Sequence, residues 1–430
     1  MKITNITATP IAFADPPLLN FAGLHQPYAL RTIVEVETDE GISGFGEVSG
    51  GEKLQEAFRL AIPDLIGLDV FNRQALRQKL FGSPEDALED THQIMPGMKD
   101  QRRRELVYSG VEVAMLDAAG KALGLPVHAL LGGKVRDTVP FSAYLFYKRD
   151  GGGGMNDDIR DDVYGPCLTP DQVVQQARAF IDEYGFKSIK LKGGVFPPEQ
   201  EMDAMRALHD AFGDDMPLRL DPNGAWTVET SVKVGVGLDG ILEYLEDPAP
   251  TMDDMAATRG ELISKGVMTP LATNMVVTRF ERIPESVEKD AVQIILSDHH
   301  IWGGLQATHE LGRLCETFGI GLSMHSNSHL GISLTAMAQV AAATPVLTYA
   351  CDTHYPWQRE EDEIIQGGRV PFEDGSVRVS DAPGLGIEID RDNLARMHER
   401  YKTCGIPERD DASYMREIVD PDFSPDPARW

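Results

Sequence analysis

The hydrophobic pattern changes character along the chain. Over residues 31–51, "RTIVEVETDEGISGFGEVSGG", apolar and polar positions alternate, break at Asp39-Glu40-Gly41 and alternate again. A period of two on either side of a short turn predicts a β-hairpin. The stretch "VEVAMLDAAGKALG" instead places Val111, Ala114, Met115, Ala118, Ala119 and Ala122 at helical spacing, and Gly124 and Pro126 end it. The first section is therefore expected to be α+β.

From about Val139 the rhythm shifts. Short apolar runs recur between helical segments: "VPFSAY", "SIKLK", "PLRLD", "ILEYLE", "PLATN", "VQIILSD", "IGLSMH" and "VLTYACD". Strands alternating with helices imply a parallel sheet, and eight such units imply an α/β barrel closed on itself. No G-x-G-x-x-G follows the first of these strands, which speaks against an open dinucleotide-binding sheet. "GGGG" at 151–154 reads as a flexible loop. "RDNLARMHERY" reads as a helix, and "GIPERDDASYMREIVDPDF" as a polar, irregular tail that packs back on the first section. The expected organisation is a capping section over 1–135, a barrel over 136–385 and a returning segment over 386–430.

Composition narrows the function. At 430 residues and 42% hydrophobic, the chain can bury a barrel core and a smaller companion. A net charge of −28 repels phosphate backbones and anionic membranes, so neither nucleic acid nor a membrane surface is an expected partner. An anionic small molecule would need local positive charge to bind. The four cysteines lie far apart without a C-x-x-C, which fits a reducing cytoplasm rather than a disulfide framework. The opening "MKITNITATPIAFADPP" has no apolar core of a signal peptide, and no run of 18 apolar residues occurs.

Chemistry concentrates where the barrel strands end, the end that carries active sites in such folds. In "KSIKLKGG", Lys190 and Lys192 share one face of a strand while Ile189 and Leu191 take the other. The next strands end in Asp221, Glu246, Asn274, Asp298 and His325. Singly, Asp221 and Asn223 fit a turn, and Glu246-Asp247-Pro248 fits a helix start. Together, Asp221, Glu246 and Asn274 are three hard oxygen donors at successive strand ends, a set suited to Mg²⁺ and short of the thiolates and imidazoles that favour zinc. Asp298 and His325 form a candidate dyad in which the carboxylate fixes the imidazole. A lysine beside a second cation loses its proton more readily and can serve as a base. The set suits proton abstraction alpha to a carboxylate, with Mg²⁺ and one lysine stabilising the charge that develops. His299 and His300 read as loop residues without an assigned role.

The stretches "KLKGGV", "DPNGAW", "LEDP", "ATNM", "HSNSH", "CDTHYPWQ" and "PGLGIEID" together resemble the enolase superfamily, its mandelate racemase subgroup and, within that, the glucarate dehydratase family. The resemblance covers nearly the whole chain. It implies a (β/α)₇β TIM-like barrel with an α+β capping domain formed by both termini. It implies Mg²⁺ on Asp221, Glu246 and Asn274, and a dehydratase acting on a six-carbon aldaric acid, D-glucarate first. Lys192 would take the C5 proton and Lys190 polarise the carboxylate. His325, paired with Asp298 and followed by Asn327, would serve the other epimer and help the C4 hydroxyl leave. Substrate contacts would fall to Asn20, His25, Ser109, Tyr144, Phe146, Asn223, His354 and Arg409, with Arg409 reaching the distal carboxylate. Galactarate dehydration and acid-sugar epimerisation stay open as alternatives. A homo-oligomer also stays open, since family members often assemble. Three departures fall around the distal half of the site: the residue after Asp298 is not the family's usual proline, "HSNSH" has a serine for an asparagine, and Ser109 stands for a threonine. They bear on substrate identity more than on reaction type.

Overall fold

Strand β1 (Ile3–Ala14) opens the chain and runs along the edge of a three-stranded antiparallel sheet; the fold is described from a computed structural model, over residues 1–82 and 102–430. The short strands β2 (Leu19–Asn20) and β3 (Gly23–Leu24) follow. The predicted hairpin is β4 (Tyr28–Thr38) and β5 (Ser43–Ser49), with Glu37 opposite Ser43 across the Asp39–Gly41 turn. Helices α1 (Glu52–Leu65) and α3 (Arg102–Leu123) pack on the sheet, and α2 (Arg73–Phe81) packs against both helices. The predicted helix is the second half of α3, which extends further toward the N-terminus than its apolar spacing showed. Its buried Val111, Ala114, Met115 and Ala118 pack against β5. Gly44 and Gly46 let the two backbones touch, because a Cβ at either would meet the carbonyl of Ala114 or Gly110.

After α4 (Val127–Leu130) the expected first barrel strand splits in two. Strand β6 (Thr138–Pro140) pairs antiparallel with a later strand, and β7 (Ala143–Phe146) enters the barrel. The repeating units are α5 (Pro170–Tyr184), β8 (Ile189–Lys192), α6 (Pro198–Phe212), β9 (Leu218–Asp221), α7 (Val228–Gly237), β10 (Leu242–Glu246), α8 (Met252–Ser264) and β11 (Leu271–Thr273). They continue through α9 (Ile283–Lys289), β12 (Ile294–Ser297), α10 (His299–Trp302), α11 (Gly304–Phe318), β13 (Gly321–Met324) and α12 (Gly331–Ala343). Strands β7 to β13 lie in sequence order, all parallel, each joined to the next by a crossover over the sheet.

The eighth apolar run, 346–352, forms no regular strand, yet it joins β13 to β7. Leu347 bridges Leu322, Cys351 bridges Phe141, and the Asp352 N–H donates to Met324 O at 2.8 Å. Side chains displace the ladder there: Ser323 Oγ and Arg219 Nη1 both donate to the Ala350 carbonyl. The partner of β6 is β14 (Ser376–Arg378).

Two further expectations differ from the structure. The 151–154 glycines are closely packed: the Gly154 N–H donates to Pro27 O at 2.8 Å, and a Cβ on Gly153, at φ 85°, would strike the Asp15 carbonyl. Helix α13 (Arg391–Thr403) stands where predicted and packs on β1, but the tail expected to be irregular holds α14 (Asp411–Ile418). Asp410 caps α14, and Tyr414, Met415 and Val419 turn toward the core at helical spacing. No helix among the described residues is long and apolar enough to cross a membrane.

Candidate active site

The strand ends converge on one rim. Lys190 and Lys192 close β8, Asp221 closes β9 and Glu246 closes β10, while Asn274, Asp298 and His325 each follow the last residue of β11, β12 and β13. All seven are buried. Lys190 Nζ lies 2.6 Å from Glu246 Oε2, 2.6 Å from Asp352 Oδ2 and 3.2 Å from Asp221 Oδ2. Burial opposes the Lys190 charge, but Asp352 and Glu246 outweigh it and hold the ammonium well above the ordinary lysine range. Lys192 Nζ donates to Asp221 Oδ2 at 2.6 Å. Burial works against the Asp221 charge too, yet Lys192 and Lys190 together keep that carboxyl below its usual range. Glu246 is pushed well above its range by burial and by the charge on Asp221. Packing three carboxylates, Asp221, Glu246 and Asp352, against two lysines leaves a demand for more positive charge than the lysines meet.

Two buried oxygens show where that charge would sit. Glu246 Oε1 and Asn274 Oδ1 have no hydrogen-bond partner, although native proteins almost always satisfy such atoms. Asp247 orients the third member of the set, accepting from the Asn274 N–H at 2.8 Å and from the Thr273 hydroxyl. Burial, then Asp221, raises the Asp247 carboxyl to about 7. Asp221, Glu246 and Asn274 thus offer hard oxygen atoms, two of them unclaimed, which fits a divalent cation such as Mg²⁺.

Asp298 and His325 meet as a dyad, with Nδ1 3.2 Å from Oδ2. Burial opposes ionisation of Asp298, but His300 first and His325 after it hold the carboxyl well below its usual range. His299 and His300, expected in a loop, lie in a short helix, α10, instead. His300 Nδ1 is 2.8 Å from Asp298 Oδ1.

A cavity of about 650 Å³ opens over this rim. Its wall includes Asn20, His25, Tyr144, Phe146, Lys192, Asn223, Asn274, Asp298, His325, Asn327, His354 and Arg409. Lys190, Asp221 and Glu246 are not on the wall; they sit behind it, joined to it by the bond from Lys192 to Asp221. The Tyr144 ring underlies both lysines, 4.9 Å from Lys190 Nζ and 5.9 Å from Lys192 Nζ. Phe146 packs against both His25 and His354, which stack on each other, and burial holds the His354 imidazole well below its ordinary range. Asn223 adopts positive φ and donates its N–H to Asp221 Oδ1. Asn20 accepts from the N–H groups of Ala22 and Gly23 and donates to Asp411. Arg409 lines the cavity, but its Nε and Nη2 are engaged by Asp411, and Nη2 also lies 2.8 Å from His25 Nε2. Ser109 is not on the wall. Its hydroxyl donates to the His300 carbonyl at 2.9 Å, tying α3 to α10.

Sequence reasoning missed Asp352, Asp247, His300 and Arg31. Asp352 closes the last apolar run, so the rule applied to the other strand ends would have found it. Asp247 follows Glu246 directly. Arg31 gave no signal, since it sits inside a hairpin strand of the capping sheet.

Residues 172–393 match the family described as enolase C-terminal domain-like, and residues 4–132 match the mandelate racemase/muconate lactonizing enzyme N-terminal domain. A probable glucarate dehydratase of Streptomyces coelicolor is 50% identical, over 100% of this chain and 99% of that protein. An enolase from Thermobispora bispora, solved with magnesium and formate, is 53% identical with a TM-score of 0.91, each chain covered fully at 100%. An enolase from Pseudomonas fluorescens, solved with magnesium, potassium and tartrate, is 47% identical at a TM-score of 0.91, over 100% of this chain and 99% of that one. The chain belongs to the enolase superfamily, within the mandelate racemase and muconate lactonizing enzyme family.

Proposed function

We propose that this protein is a hydro-lyase that dehydrates a dicarboxylic acid sugar, D-glucarate first among candidates, to a keto-deoxy diacid. The observation that carries the proposal is the convergence of Lys192, His325 and the unclaimed oxygens of Glu246 and Asn274 on one rim. The likeness to a probable glucarate dehydratase supports the reaction class, and the magnesium in the Thermobispora bispora structure supports the cation. Asp221, Glu246 and Asn274 would hold Mg²⁺. When bound, the cation supplies positive charge that competes with Lys192 for Asp221 and draws electrons from a substrate carboxylate.

The remaining steps fall to this chain's own side chains. Lys192 Nζ takes the proton alpha to the carboxylate. Lys190 contributes fixed positive charge behind the same end of the cavity. The electron pair of the broken C–H bond expels the β-hydroxyl, which takes the Nε2 proton of His325 in its imidazolium form and leaves as water; for the other epimer the neutral ring, with its proton on Nδ1, accepts at Nε2. The resulting enol tautomerises to the ketone. Asp298 holds His325 by Nδ1, so Nε2 is free for the substrate. Asn327 and Asn223 flank the reacting centre, while Asn20, His25, Tyr144, Phe146, His354 and Arg409 wall the space for the rest of the sugar. Ser109 acts on the substrate only through α10.

One observation favours a second reading. Lys192 ends β8 and His325 directly follows β13, and the two strands are separated by β9 to β12 on one side and by β7 and the 346–352 segment on the other. Two proton-transfer groups facing one cavity from separate sides suit epimerisation, or a different aldarate such as galactarate. The test is a panel of acid sugars incubated with protein and Mg²⁺ in D₂O. Keto-deoxy acid from an aldarate supports dehydration; α-deuteration with inverted configuration and no elimination supports epimerisation; neither product on any aldarate overturns both. The unpaired, buried cysteines support a cytoplasmic location.

A further inference from the structure

Asp298 serves two histidines, one on each carboxylate oxygen. His325 Nδ1 approaches Oδ2 at 3.2 Å, while Oδ1 lies 2.9 Å from the His300 backbone nitrogen and 2.8 Å from its Nδ1. The proposed reaction makes no use of His300, yet this side chain is buried and touches the cavity.

Its far nitrogen is engaged as well. His300 Nε2 lies 3.1 Å from Arg31 Nη2 and 3.0 Å from Ser333 Oγ. A guanidinium can only donate hydrogen bonds. Nε2 must therefore accept, and the ring carries its proton on Nδ1, facing Asp298. Arg31 is fixed in turn: its Nε donates to Glu47 Oε1 at 2.9 Å, and Glu47 accepts from the N–H groups of Leu330 and Ser333. Burial opposes the charge on Glu47, but Arg31 outweighs it and holds the carboxyl below its usual range. The His299 ring completes the packing, its centroid 3.9 Å from that of His300.

We propose that His300 is a positioning residue for the Asp298–His325 dyad, locked in one tautomer by Arg31 from the capping sheet. This inference rests on the reading of His325 as an acid–base group. The lock gives Asp298 a neutral donor instead of a second cation, so the carboxylate charge stays available to His325. It also pins Oδ1, which leaves Oδ2 facing His325 Nδ1. His325 then keeps its proton on Nδ1 and presents Nε2 to the substrate. The capping sheet thus sets one half of the acid–base pair. Lys192 stands outside this chain of bonds, its Nζ on Asp221.

The test compares His300→Leu, which removes the hydrogen bonds of both ring nitrogens, with His300→Asn, whose amide keeps a donor near the Nδ1 position. The first readout needs no substrate: imidazole ¹⁵N spectra of the Mg²⁺-loaded full chain, with His325 assigned through His325→Asn. The expected result, read at a pH where the His325 ring is neutral, is a single Nδ1–H tautomer in the parent and in His300→Asn, and a mixture of tautomers in His300→Leu. An unchanged His325 signal in His300→Leu overturns the proposal. The second readout is α-proton exchange in D₂O for a pair of epimeric aldarates. In His300→Leu the ratio of His325-dependent to Lys192-dependent exchange is expected to fall about 100-fold, the scale of a lost general base, with partial recovery in His300→Asn. Equal loss on both faces means a merely structural role and overturns the proposal. If the parent exchanges neither proton, the functional reading fails, and the imidazole spectra alone decide the positioning claim.

Discussion

Lys192 and Asp221 are register partners on neighbouring strands, and the lysine donates to the carboxylate across 2.6 Å. The proposed base and a proposed metal ligand therefore share one hydrogen bond. Removing the lysine takes away proton abstraction and also a cation that competes for Asp221. Lys192→Ala is predicted to lower kcat by about 100-fold or more. Calorimetric titration should find Mg²⁺ bound at least as tightly as in the parent. A collapse of metal affinity would show that Lys192 builds the site instead of using it.

Asn274 supports a prediction with opposite signs in two states. Its Oδ1 is buried and unpartnered, so replacing it with an apolar group forfeits no hydrogen bond among the described residues. Asn274→Leu is predicted to melt no lower than the parent in EDTA. In the parent, Mg²⁺ at about 100 times its Kd adds about 2.7 kcal/mol of stability. That increment should be lost in Asn274→Leu. Melting curves with and without Mg²⁺ check both halves.

Asp352 is one of three buried carboxylates around Lys190. Breaking a buried ion pair on one side strands charge without solvent. Asp352→Asn is predicted to destabilise the metal-free protein by about 3 kcal/mol, the low end for such changes because Glu246 and Asp221 stay beside the ammonium. Urea unfolding measures the loss.

A pH prediction follows from Glu112 on α3, which accepts from the N–H groups of Leu305 and Gln306 in the first turn of α11. Burial lifts its carboxyl from 4.5 to about 7, against the pull of those two N–H groups. The folded state holds this proton more tightly than the unfolded chain does. The associated stability is therefore full below about pH 4.5 and is lost as pH rises through about 7, an effect of about 3 kcal/mol at most. Glu112→Gln removes the titration and keeps a full acceptor for one of the two N–H groups, close to the pattern of the protonated carboxyl. It should match the parent at pH 4.5 and melt higher than the parent at pH 8.

Much of the barrel and of its rim was legible because both rest on local rules. Period-two and helical spacing located the hairpin, the second half of α3 and seven of the strands, and polar residues closing apolar runs marked Lys190 through His325. The eighth run carried the same apolar signal, but Ser323 and Arg219 claim its Ala350 carbonyl, and no local rule anticipates side chains from distant elements. The 151–154 glycines looked flexible because their packing partner, Asp15, is remote in sequence. Arg31 and His300 were silent for the same reason: they meet across the interface between the capping sheet and the barrel. Helix α14 was within reach, since Asp410 is a capping residue ahead of a helically spaced apolar set, and charge density masked it.

The central claim is that Asp221, Glu246 and Asn274 share one divalent cation beside Lys192. Anomalous diffraction from crystals of this protein soaked in Mn²⁺ tests it most directly. The account predicts one strong peak within bonding distance of Asp221, Glu246 Oε1 and Asn274 Oδ1. A peak elsewhere, with those oxygens pointing apart and bonded only to protein, would contradict it.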